Sequence, residues 1–195
     1  MRRILRGINY FLNYFFVEAP RGLDFSMRDL AGIENESYNG YAMTSKKALK
    51  NLLSFIENKE ELSFLDIGSG KGAVVYFADS LGFKTSHGIE YNLRLHNMAK
   101  KNFKTLKKDN LKSFNVKAEK FDIYDNYDVY FLFNPFDELI FKKVLNQILS
   151  QKTNKKLIIF YGKFTLMNFM EESGAILINS FICPYRKNTV NIYSF

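Results

Sequence analysis

The chain has 195 residues, enough for one domain with a substantial core, and 47% hydrophobic with 25% charged residues excludes a disordered polymer. Its single cysteine, Cys183, excludes a disulfide framework and a cysteine-based zinc site, and with no signal-peptide pattern in view the expected location is the cytoplasm. The net charge of +8 is compatible with nucleic acid or anionic lipid, but the lysines are spread over helices, which favours a solvated basic surface.

Residues 2–17 read as a helix, basic at Arg2, Arg3 and Arg6 and then aromatic at Tyr10, Phe11, Tyr14, Phe15 and Phe16. Asn9 and Asn13 interrupt it, and its apolar stretches are far shorter than the ~20 residues a bilayer span needs. Ala19-Pro20-Arg21-Gly22 breaks the helix. The aromatic face is expected to pack on the main domain; a membrane surface is the alternative partner for residues 1–18. Thr44 or Ser45 caps a second helix whose Ala48, Leu49, Leu52, Leu53 and Ile56 form an apolar stripe. Residues 1–57 are thus expected to be a helical extension packed on a domain at 58–195.

From there strands and helices alternate. Strands are expected at Ser63–Ile67, Lys84–Glu90, Phe114–Ala118, Asp128–Phe133 and Leu157–Tyr161. Helices are expected from Gly72 to Gly82, from an Asn92 cap to about Lys108, over Asp137–Leu149, and over Phe164–Glu172. The last strands, Ala175–Cys183 and Thr189–Phe195, have only Pro184-Tyr185-Arg186-Lys187-Asn188 between them and should be antiparallel. The expected fold is a Rossmann-like, doubly wound, mostly parallel seven-stranded α/β sheet ending in an antiparallel hairpin. Such sheets bind ligands beyond the carboxyl ends of their strands.

That edge holds the most informative stretch, Phe64-Leu65-Asp66-Ile67-Gly68-Ser69-Gly70-Lys71-Gly72, followed about twenty residues on by Gly88-Ile89-Glu90. The glycines allow a sharp turn and close approach of a ligand. The next helix start offers unpaired N–H groups, and an acid at the second strand's tip is placed for ribose hydroxyls. An adenosine cofactor follows. Gly68, Gly70 and Ala73 also fit the loose dinucleotide pattern, but Asp66 would repel a pyrophosphate and attract a sulfonium.

Asn134-Pro135-Phe136 at the end of the fourth strand completes a set of three features, and with them the chain resembles the class I S-adenosylmethionine-dependent methyltransferases over roughly residues 60 to 195. Asp66–Gly72 is similar to their glycine-rich motif, Glu90 to their ribose-binding acid, and Asn134-Pro135-Phe136 to a shortened fourth motif. The resemblance implies S-adenosyl-L-methionine as cofactor, held by Asp66, Gly68, Ser69, Gly70, Gly72, Glu90 and Tyr91, with Glu119 or Asp122 at the adenine amino group and Asn134 close by. It implies Asn134 and Phe136 as catalytic residues, the first accepting from a target amine and the second packing over it, although the second proline of the fuller motif is missing. Tyr38, Tyr41 and Thr44 resemble a segment that reaches the cofactor's methionine end in some members. Methyl transfer to an amine or hydroxyl is the expected activity, with a protein lysine ahead of nucleic acid or a small molecule. The alternatives are a non-catalytic adenosine-cofactor module and a nicotinamide oxidoreductase. His87, His96 and Cys183 are expected to be structural, no metal site is expected, and the oligomeric state is open.

Overall fold

The computed structural model describes residues 8–9, 11–26, 44, 46–150, 156–162, 167–183 and 188–195. Arg2, Arg3, Arg6, Tyr10, Tyr38, Tyr41, Ser45, the expected helix start at Phe164 and the 184–187 turn lie outside them.

Seven strands, β1 (Ser63–Ile67), β2 (Thr85–Ile89), β3 (Lys112–Phe114), β4 (Val129–Leu132), β5 (Leu157–Gly162), β6 (Ile176–Ile182) and β7 (Thr189–Ser194), form one sheet in the order β3-β2-β1-β4-β5-β7-β6. The first five are parallel, while β7 runs antiparallel to both β5 and β6. The helices are α1 (Lys46–Leu52), α2 (Ala73–Ser80), α3 (Leu93–Thr105), α4 (Glu138–Ser150) and α5 (Met167–Glu172).

The period-2 alternation of the central strands sorts side chains onto two apolar faces. Leu65, Ile67, Tyr130, Leu132, Ile158 and Phe160 join Ile140, Val144 and Leu145 of α4 in one core. Phe64, Val129, Phe131, Ile159 and Tyr161 join the α1 stripe, together with Val74 and Ala78 of α2, in the other. A sheet buried on both faces needs near-continuous apolar strands, which is why these segments lack a polar side. Asp66 breaks that rule while only 3% exposed, which marks it as functional or costly.

Two expectations shift. Strand β3 ends at Phe114, because Asn115 leaves the ladder to donate from Nδ2 to the carbonyls of Glu90 and Tyr91, and residues 118–120 wind into a 3₁₀ turn. Three of the N-terminal rings do not pack inward as expected: Phe11, Phe15 and Phe16 are 53%, 48% and 77% exposed, while Tyr14 is half-buried. What anchors this segment is Glu18, at the end of a π-helical stretch Tyr14–Glu18. Its buried carboxylate accepts from the backbone N–H groups of Phe25 and Ser26, from Asn13 Nδ2 and from the Ser26 hydroxyl.

Candidate active site

Strand order reverses at β1, whose neighbours β2 and β4 lie on opposite sides, and open α/β sheets bind ligands at such a switch point, beyond the carboxyl ends of the strands. The glycine-rich loop leaves β1 there, and Asn134-Pro135 leaves β4 beside it. Loop shape is set by β2: the N–H groups of Gly68 and Ser69 both donate to the Ile89 carbonyl, at 3.0 and 2.9 Å. Gly68 has φ +83 and is exposed, and a Cβ on it would lie 2.6 Å from Pro135 Cβ. Only glycine lets the two loops close to this distance.

Glu90, at the tip of β2, is buried and binds the loop directly. Its Oε2 accepts from Gly70 N–H at 2.8 Å and its Oε1 from Asn92 N–H at 2.9 Å. Burial pushes its carboxyl above the usual range, against the pull of the backbone N–H groups of Asn92, Gly70 and Tyr91. Asp66 is pushed well above its ordinary value, first by burial and then by the charge of Glu90. Two buried, mutually repelling carboxyls favour a ligand that brings positive charge to them.

The residue set fits S-adenosylmethionine on this chain's own chemistry. Gly68 is exposed at the exit of β1, and the acid pair suits a sulfonium. Thr44 Oγ1 is buried without a hydrogen-bond partner among the described residues, as is Ser69 Oγ, which packs against Gly88 of β2. Such orphans in a folded interior call for a ligand or water.

Asn134 is held in the left-handed region at φ +41. Gly162 at the end of β5, with φ +153, would put a Cβ 2.7 Å from Asn134 Cβ. Asn134 and Pro135 are therefore wedged between the cofactor loop and β5. Phe136 departs from expectation: it is buried in the core with Leu132 and Ile140, not poised over an acceptor. Without a second proline the chain turns into α4 immediately, with Asp137 Oδ1 capping it by accepting from Ile140 N–H at 2.9 Å. Tyr91 is half-buried against the main core. Glu119 lies half-buried in the 3₁₀ turn, which Gln147 of α4 grips by donating to the Glu119 carbonyl; Asp122 is exposed.

Sequence reasoning missed a strut behind the loop. Lys71 is 1% exposed and pairs with Asp24 Oδ1 at 2.8 Å. Asn102 of α3 accepts from Asp24 N–H and donates to the carbonyls of Asp24 and Lys71. A lysine between glycines carried no signal of burial. His87 and His96 are structural, bonding Tyr127 and Ser113 respectively, and burial lowers both imidazoles.

The sheet order, the loop and the acid at β2 define a class I S-adenosylmethionine-dependent methyltransferase. Residues 23–158 match the family model described as histone methylation protein DOT1. The chain belongs to that family, and S-adenosylmethionine is its cofactor. No curated protein matches the sequence. Similar solved structures include an RNA methyltransferase from Salinibacter ruber with S-adenosyl-L-homocysteine (17% identity, TM-score 0.62, covering 78% of this chain and 93% of that one). A putative RNA methyltransferase from Pyrococcus horikoshii is similar at 22% identity and TM-score 0.60, covering 86% and 93%. Magnesium protoporphyrin IX methyltransferase from Synechocystis with bound cofactor is similar at 10% identity and TM-score 0.62, covering 80% and 85%. At these identities the neighbours establish the fold alone.

Proposed function

We propose that the chain methylates an amino group, with a protein lysine as the leading acceptor, and that Asn134 orients it. The observation that supports this reading is the close packing at the exit of β4, where Pro135 lies against Gly68 of the glycine-rich loop and Asn134 against Gly162 of β5. The description of the matched family as histone methylation proteins favours a protein amine over a nucleic acid or small molecule.

S-adenosylmethionine held here would supply a sulfonium-activated methyl to the amine lone pair, leaving S-adenosylhomocysteine and a proton released to solvent. This chain's residues position and desolvate. Glu90 takes the ribose hydroxyls, Tyr91 the adenine face and Glu119 the adenine amino group. Gly68 and Gly70 border the methionine portion and Asp66 orders the loop beside it, while Gly72, packed against Phe103 and Ala99 of α3, and Ser69, packed against Gly88, shape the loop from behind. Thr44 offers its hydroxyl to the same end. Asn134 accepts from the target N–H groups, which aims the lone pair at the crevice. Phe136, being a core residue, has no part in this assignment.

The test is S-adenosylhomocysteine release over core histones, other proteins, RNA and metabolite fractions, with the modified atom located by mass spectrometry. Asn134→Ala should keep the thermal shift produced by S-adenosylhomocysteine and lose turnover. Turnover on RNA alone would reverse the acceptor assignment. Cofactor binding with no turnover on any fraction would support a non-catalytic module instead.

A further inference from the structure

The N-terminal segment is amphipathic in the wrong sense for a packed helix. Residues 8–9 and 11–13 are helical and Tyr14–Glu18 continues as a π-helix. Ile8, Phe11, Leu12 and Phe15 follow the i, i+3, i+4, i+7 spacing of an apolar stripe, yet all four are exposed. Phe16 and Val17 extend the exposed surface. Asn13 turns inward instead, its Nδ2 donating to Glu18 Oε1 and to Ser26 Oγ at 2.5 and 2.6 Å, while Asn9 is exposed. Phe11 and Phe15 rest on one another at 4.4 Å between ring centroids, so the patch holds its own shape. A segment anchored through Asn13 and Glu18 with its apolar residues outward is displaying them.

Charge selects the occupant. Residues 1–17 contain Arg2, Arg3 and Arg6 and no acid, and the first carboxylate, Glu18, is buried and bonded to four donors. In sequence the three arginines, without a counter-charge, precede an exposed mix of aliphatic and aromatic side chains, a combination that matches an anionic interface over a hydrocarbon layer. Base stacking would use the rings and leave Ile8, Leu12 and Val17 unserved. Among the described residues no helix is long and apolar enough to cross a membrane. We propose that residues 1–17 dock the protein on anionic lipid, with Phe11, Phe15 and Phe16 inserted among the acyl chains.

The experiment is co-sedimentation of the full chain with phosphatidylcholine vesicles, with and without a third phosphatidylserine. Binding is expected to the mixed vesicles, and weaker by about fivefold for each arginine replaced by glutamine. High salt should reduce it further. The double variant Phe11→Ser, Phe15→Ser should lower partitioning at least about tenfold, while its melting temperature and its shift by S-adenosylhomocysteine stay at wild-type values because neither ring is buried. Three results would each overturn the proposal: no sedimentation with anionic vesicles, unchanged sedimentation of the double variant, or a wild-type dimer in solution that the double variant breaks into monomers. The last would make the face a self-interface. None of these readouts depends on the acceptor or on Asn134.

Discussion

Glu90 holds the loop and is assigned to hold the ligand, and the two demands meet on one carboxylate. Its oxygens already accept from Gly70 and Asn92, so each has lone-pair capacity left for a ribose hydroxyl. Glu90→Ala should weaken S-adenosylhomocysteine binding by about 1–3 kcal/mol, read by calorimetry, through lost charge-assisted hydrogen bonds. An unchanged affinity would confine Glu90 to loop architecture. Gly162→Ala probes the opposite wall of the crevice. Its Cβ would meet Asn134 Cβ at 2.7 Å in a backbone conformation that disfavours alanine, so Asn134 must move. Turnover should fall while the cofactor dissociation constant changes little, and equal losses in both would show that the wedge supports the cofactor loop instead.

At the scale of elements, the strut between Lys71, Asp24 and Asn102 joins a segment before α1 to the loop after β1 and to α3. Asp24→Ala takes the carboxylate away from a buried ammonium and should cost about 3 kcal/mol of unfolding free energy, the low end for buried pairs because Asp24 is partly exposed. Lys71→Met removes both charge and pairing at similar volume and should cost less. Chemical denaturation of the two variants gives the order, and the reverse order would mean that the ammonium has ample compensation elsewhere. None of this was legible from sequence, because the pair is separated by 47 residues and neither partner breaks a local pattern. What could be read was the element pattern. Ser63–Ile67 is found as expected because an apolar run bounded by turn residues admits one reading. β3 misled because Phe114, Val116 and Ala118 alternate like a strand, yet past Phe114 Asn115 bonds to the carbonyls of β2's exit. Phe136 misled by motif likeness: one missing proline was enough to turn the ring into the core. Three of the N-terminal rings misled because aromatic density signals burial only when the polar residues are free to be outside, and Asn13 and Glu18 are held inward.

For the whole molecule, the buried acid pair sets function against stability. Asp66 and Glu90 are raised in the folded state by burial, and in Asp66 also by Glu90, so the fold prefers their protonated forms. Their contribution to stability is full below the unfolded carboxylate pKa, roughly 4, and is lost as pH rises through the folded values. His87 and His96 act in the opposite sense. Lowered by burial, they contribute stability above the unfolded histidine pKa, roughly 6.5, and lose it as pH falls through their folded values. The ligand-free protein therefore carries opposing slopes between about pH 4 and 6.5. Asp66→Asn removes one carboxylate. The variant should melt higher than wild type without ligand, the gap widening as pH is raised above the unfolded carboxylate pKa, roughly 4, and it should respond less to S-adenosylmethionine. Paired melting curves at several pH values, with and without the cofactor, test both halves. A variant that melts lower than wild type at every pH would show that the Asp66 carboxylate stabilises the fold, and the cost of burying it would then have no functional reading.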